Sequence, residues 1–159
     1  MGKKEDKTNV MRALDQKKIP YVSHVFDPSL AVAGMEVASL LKQDPAQCFK
    51  TLVTVANTKE YFVFCVPVLG ELNLKAAAKA VGVKAIEMIP QKDLLPLTGY
   101  VHGGCSPVGM KKQFKTVLDA SAQNYEVIFL SGGKLGHQIE IAPSELKKVV
   151  NYEFAEIVQ

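Results

Sequence analysis

The stretch Phe49–Val68, FKTLVTVANTKEYFVFCVPV, decides how this chain folds. Two apolar runs rich in β-branched and aromatic residues flank Asn57, Thr58 and Lys59, the composition of two strands joined by a short hairpin loop. The first run is apolar on both sides. Phe49, Val53 and Val55 fall on one face, Leu52 and Ala56 on the other. A strand that hides both faces belongs to a sheet covered on each side or closed on itself.

Downstream, LNLKAAAKAVG reads as a helix capped by Asn73 and stopped by Gly82. VKAIEMI reads as a strand and PQKDLLPL as a short helix with Pro90 near its start. FKTVLD, NYEVIFLS and GHQIEIA read as strands, PSELKKVV as a helix, and FAEIVQ as a strand or extended end. Upstream, Lys7–Lys18 places Val10, Met11 and Leu14 at helical spacing, with Thr8 as N-cap and Pro20 as stop. YVSHVF alternates like a strand, and GMEVASLLKQ is a short helix ending before Pro45. Strands follow one another directly too often for a simple βαβ series. The pattern predicts an α+β fold, one domain over residues 1–159, with a mixed, curled or barrel-like sheet and flanking helices.

At 159 residues the chain can bury a real core. Its net charge of +3 permits a polyanionic partner without requiring one. No apolar run approaches the ~20 residues of a membrane span. MGKKEDKTNV lacks a secretory apolar stretch, and Gly2 stands in a poor myristoylation context. Cys48, Cys65 and Cys105 are odd in number and far apart, which fits a reduced, cytoplasmic setting.

His24, His102 and His137 are scattered, and HGGC pairs His102 with Cys105 only once, so no tetrahedral metal set forms. His137 and Glu140 lie three apart in a predicted strand and face opposite sides. Neither a metal nor a cofactor is expected. Cys105 sits among glycines, where amides can activate a thiol, but no base marks itself, and a bystander is the better reading. Ser106 in GCSPVG is not a nucleophile elbow.

GGCSPVGMKK departs from both common phosphate-loop patterns. Its Gly103-Gly104 pair is matched by Gly132-Gly133 in LSGGKLG. Such pairs either turn the chain or present consecutive amides to a ligand. Spacing alone favours two turns. Lys50 either packs its stem at a strand end or aims an ammonium into a cleft, toward a phosphate or an oxyanion.

Taken in order, CFKTLV, GGCSPVG and SGGKLG resemble the YbaK family of aminoacyl-tRNA deacylases, related to the editing domain of bacterial prolyl-tRNA synthetase. LNLKAAAKAVGVKAIEM and IEIAPSELKKVV share in the resemblance, which runs from about Thr8 to Val158. It implies a barrel-like mixed sheet and a freestanding deacylase acting on Cys-tRNA(Pro), or also on Cys-tRNA(Cys). It also implies a reaction in which the cysteinyl thiol attacks its own ester to give a cyclic thioester. By the same resemblance the functional lysine falls on Lys50. The substrate-binding loops fall on Gly103, Gly104, Pro107 and Gly109, and on Ser131, Gly132 and Gly133. The implied partners are the acceptor end of an aminoacyl-tRNA and prolyl-tRNA synthetase, with no membrane. A deacylase for alanine, a tRNA- or synthetase-binding module without turnover, and a DNA-binding regulator are the alternatives. Lys111, Lys112 and Lys115 read as a solvated basic face ahead of a tRNA contact.

Overall fold

The computed structural model describes residues 7–159, so Gly2 and its context lie outside the described residues. Thr8 Oγ1 accepts from the Met11 N–H and starts α1 (Asn9–Gln16), which buries Val10, Met11 and Leu14. β1 (Val22–Val25) and α2 (Gly34–Leu40) follow. The hairpin forms as β2 (Phe49–Ala56) and β3 (Tyr61–Pro67) in antiparallel register, with Lys50 opposite Val66. α3 (Leu74–Val81) is capped by Asn73 Oδ1, which accepts from the Ala76 N–H at 3.0 Å, and ends at Gly82 with φ +75°. These three boundaries obey local rules, which is why the sequence announces them.

β4 (Ile86–Met88) pairs with the end of β2. PQKDLLPL divides into a 3₁₀ turn at Gln91–Asp93 and α4 (Leu94–Thr98). β5 (Lys115–Asp119) leads into a second 3₁₀ turn, Ala120–Asn124, in which Ser121 N–H donates to Asp119 Oδ2 at 3.1 Å. β6 (Ile128–Ser131), β7 (His137–Ile141), α5 (Pro143–Leu146) and β8 (Tyr152–Ala155) complete the order.

The strands form two sheets: β4-β2-β3-β5-β8 and β1-β7-β6. The smaller is antiparallel throughout; the larger is antiparallel around β2 and parallel from β3 through β5 to β8. They meet where Cys48 bridges Phe129. There the Gln47 carbonyl accepts from Phe129 N–H at 3.1 Å, and the next carbonyl, Cys48, accepts from Val68 N–H at 2.7 Å. Successive carbonyls point to opposite sides, so this corner joins the hairpin to β6. The expected curl is present, but closure into a barrel is not, because the two sheets share one bridge rather than a ladder.

β2 does bury both faces. Phe49 and Val53 enter a core with Val10, Leu14, Leu130 and Ile139. Ala56 and Leu52 meet a second core with Phe64, Ala77 and Ala78 of α3. Among the described residues no helix is long and apolar enough to cross a membrane.

Candidate active site

A cavity of about 510 Å³ opens at the corner where the sheets meet. The start of β2 supplies Phe49, Lys50, Thr51 and Leu52; α2 and its approach, the 102–105 loop, and the facing ends of β6 and β7 supply the other walls. Most of the lining is apolar. Lys50 is the lining residue with a permanent positive charge. Its side chain is 31% exposed, and Nζ lies 3.9 Å from Glu71 Oε2.

Both glycine loops border this cavity. The first surfaces at Val101, His102 and Gly103, then dives, with Gly104 through Val108 buried. Gly103 has φ +88°, a conformation side chains resist. Tyr100 OH donates to the Val108 carbonyl and Asn9 Nδ2 to the Gly109 carbonyl, fixing the inner end of the loop to α1. In the second loop Ser131 Oγ accepts from Gly133 N–H at 3.1 Å, and Gly132 N–H donates to the His137 carbonyl at 2.8 Å. The loops touch: a Cβ on Gly104 would stand 3.3 Å from the Lys134 backbone.

Of the sequence-derived residues, Lys50, Gly103 and Ser131 line the cavity. Gly104, Pro107, Gly109, Gly132 and Gly133 stand behind it. The N–H groups of Gly104, Gly132 and Gly133 already have protein partners, at Val101 O, His137 O and Ser131 Oγ. Gly103 N–H has none among the described residues. Lys111, Lys112 and Lys115 are exposed and do not line the cavity.

Sequence reasoning missed Gly34. A Cβ there would fall 2.3 Å from Val68 Cγ1, so α2 reaches the corner only because its first residue is glycine. A lone glycine ahead of an apolar helix was the available signal. It also missed Gln138, only 5% exposed, which exchanges two hydrogen bonds with Gln43 at 2.7 and 2.8 Å and lines the cavity.

The cavity has little chemistry of its own. Burial pushes the Cys105 thiol up to about 12 and, with help from Asp44, the Cys48 thiol up to about 11. Both are protonated at neutral pH and weak nucleophiles. Glu36 accepts from Val32 and Ala33 N–H groups, which hold its carboxyl below the usual range. Glu140 turns away from His137 and meets His24 Nε2 at 2.8 Å, as strand alternation requires. Among the described residues no group of three His, Cys, Asp or Glu side chains could hold a metal ion.

Residues 28–149 match the aminoacyl-tRNA editing domain. This chain belongs to that family. An Enterococcus faecalis protein, provisionally named the Cys-tRNA(Pro)/Cys-tRNA(Cys) deacylase EbsC, is 47% identical over 156 residues, 98% of this chain and 95% of that one. Two solved structures share the editing-domain fold. One, provisionally named a trans-editing enzyme for prolyl-tRNA synthetase, has a TM-score of 0.83 at 23% identity over 95% of each chain. The other, hypothetical protein APE2540, has a TM-score of 0.87 at 20% identity, over 95% of this chain and 99% of its own.

Proposed function

We propose that this editing domain, acting as one unit over residues 1–159, is a freestanding deacylase that clears cysteine from tRNA(Pro), and also from tRNA(Cys). It works in the cytoplasm, alongside prolyl-tRNA synthetase. The observation that carries the reading is a cavity with one ammonium, thiols that stay protonated at neutral pH, and a single carboxylate, Glu36, that is engaged by backbone amides. Ester cleavage in such a place needs a nucleophile from elsewhere, and a cysteinyl substrate brings one.

A cavity of about 510 Å³ is in the range that holds a drug-sized ligand. It has space for an aminoacyl group together with the sugar that carries it. The substrate thiol loses its proton to solvent, and sulfur attacks the ester carbonyl carbon. The new C–S bond closes a four-membered ring. The C–O bond to the terminal ribose then breaks, and that oxygen takes a proton. The products are a cyclic thioester and intact tRNA. Intramolecular attack contributes effective molarities on the order of 10⁵ M when the atoms are held in line. Lys50 anchors the terminal phosphate or the ester region, Gly103 N–H is free for the carbonyl oxygen, and Ser131 borders the amino acid. The biological need follows from size. A site shaped for proline rejects the similar-sized cysteine poorly, so a second site must correct the error.

The test compares Cys-tRNA, Ser-tRNA and S-methyl-Cys-tRNA on one tRNA(Pro) under single-turnover conditions. Serine keeps the size but loses the thiol, and its rate should fall by about 100-fold or more. The methylated sulfur should not react, and a thioester should be trapped from cysteine alone. Equal rates for cysteine and serine would end this reading in favour of an activated water.

A further inference from the structure

Lys50 is not alone at the cavity. Glu71 Oε2 lies 3.9 Å from its ammonium, with the carboxylate side chain 79% exposed and the lysine 31%. Lys50 lines the cavity and Glu71 does not, so the pair straddles the rim. Around Glu71 the backbone is held firmly. Gln159 N–H donates to the Glu71 carbonyl at 2.9 Å, and Asn73 N–H to the Ile157 carbonyl at 2.7 Å. Leu72 bridges Val158. A Cβ on Gly70 would stand 2.7 Å from Val158 Cγ1, so the turn packs directly on the final residues. A fixed backbone therefore carries a solvated side chain whose carboxylate is free to swing. The other carboxylate at the cavity, Glu36, is engaged by its own amides and offers Lys50 no rival partner.

We infer that Glu71 is a positioning residue, a counter-ion that keeps the Lys50 ammonium at the rim of the empty cavity and yields it to the anionic 3′ end of an incoming tRNA. The inference rests on the proposed role of Lys50 as the substrate's anion contact. It makes binding an exchange of partners. A weakly placed anion does not displace the carboxylate, and one delivered with the rest of the acceptor end does. The cost falls on binding, because the pair is already separated when the ester reacts.

Glu71→Gln keeps the shape and removes the charge. Its KM for Cys-tRNA should fall about two- to fivefold, the size expected of an exposed pair, with kcat within about twofold of the unaltered protein. The gain should shrink as salt is raised. Glu71→Asp, which restores the charge on a shorter arm, should return KM toward its original value. Glu87→Gln removes a charge from the exposed edge strand β4, away from the cavity, and should leave KM unchanged. Filter binding of uncharged tRNA completes the cycle: in a Lys50→Ala background Glu71→Gln should bring no gain in affinity. An unchanged or raised KM in Glu71→Gln overturns the inference. So does a gain that persists without Lys50 or is copied by Glu87→Gln, since either is a general charge effect. If Lys50→Ala alone keeps full activity, the proposed role of Lys50 fails first. If Lys50→Ala is inactive and Glu71→Gln behaves as the unaltered protein, only the inference about Glu71 fails.

Discussion

The two loops beside the cavity carry the same glycine pair and use it in opposite ways. In the first loop the leading glycine, Gly103, has φ +88° and lines the cavity, while Gly104 lies flush against the other loop. In the second, the leading glycine, Gly132, packs on His137, and Gly133, at φ +98°, abuts Val10 of α1. Neither glycine of the second pair lines the cavity; the residue before them, Ser131, does. A Gly-Gly pair therefore marks a place where the backbone must bend or approach something closely. What it approaches is an open cavity in one case and the protein's own core in the other.

The largest effect should come from the cavity side of this divide. Lys50→Ala removes the permanent positive charge from the lining, and kcat/KM should drop by about 100-fold or more, as for loss of an electrostatic contact in a water-poor site. Its Tm should stay within a degree or two, because the ammonium is partly exposed and its ion pair with Glu71 is weak. A normal rate would erase the functional half of the comparison.

Matched alanines at the leading glycines sharpen it. In Gly132→Ala the new methyl meets His137 backbone at 2.9 Å, which cannot move without disturbing β7. About 1–3 kcal/mol of stability should be lost, read by denaturant unfolding, with activity following the folded fraction. In Gly103→Ala the left-handed backbone costs about 1–2 kcal/mol. Its steric clash, by contrast, is with the flexible end of Leu135 at 2.8 Å. Here the folded protein itself should be slower, by about tenfold, because the methyl sits at the cavity. Gly103→Ala with a normal rate in its folded fraction would make the two loops alike.

Much of this was readable from the chain because it is local. Thr8, Asn73 and Gly82 mark helix ends by rules that span a few residues, and the doubly apolar β2 declared a sheet covered on both sides. The division into two sheets was not readable. β1 pairs with β7, joining Val22 to Glu140, and no local pattern encodes a pairing over that distance. The site shows the same limit. Glycine content led to two loops that border the cavity, and an isolated charge led to Lys50, which lines it. Whether each amide was free or already bonded depended on Val101, His137 and Ser131, partners that only the folded chain reveals. Gln138 and Glu71 came from tertiary contacts alone, and only the contact with Val68 gave the glycine at position 34 its meaning.

The smallest effect should be Cys105→Ser. The thiol lines the cavity but holds its proton up to about 12, so the rate should change by less than about threefold. Between pH 6 and 9 both proteins should speed up alike, tracking a substrate thiol near its free value of about 8.5. Stability should behave differently. Burial raises the folded pKa, so the native protein holds a proton that the unfolded chain releases. That contribution is complete below about pH 8.5 and is lost as pH climbs toward 12. The serine variant should show a shallower alkaline decline in unfolding free energy. A collapse in its rate at neutral pH, with folding unchanged, would make Cys105 the nucleophile.

The corner that holds the cavity also sets when the protein can begin to work. Its walls come from stretches scattered between Phe26 and Gln138, and β1 has no strand partner until β7 exists. Contacts of such long sequence separation form late and slowly. A chain leaving the ribosome therefore carries no half-built site. Lys50 emerges early, but the cavity that it lines is incomplete until the second glycine loop and β7 have followed.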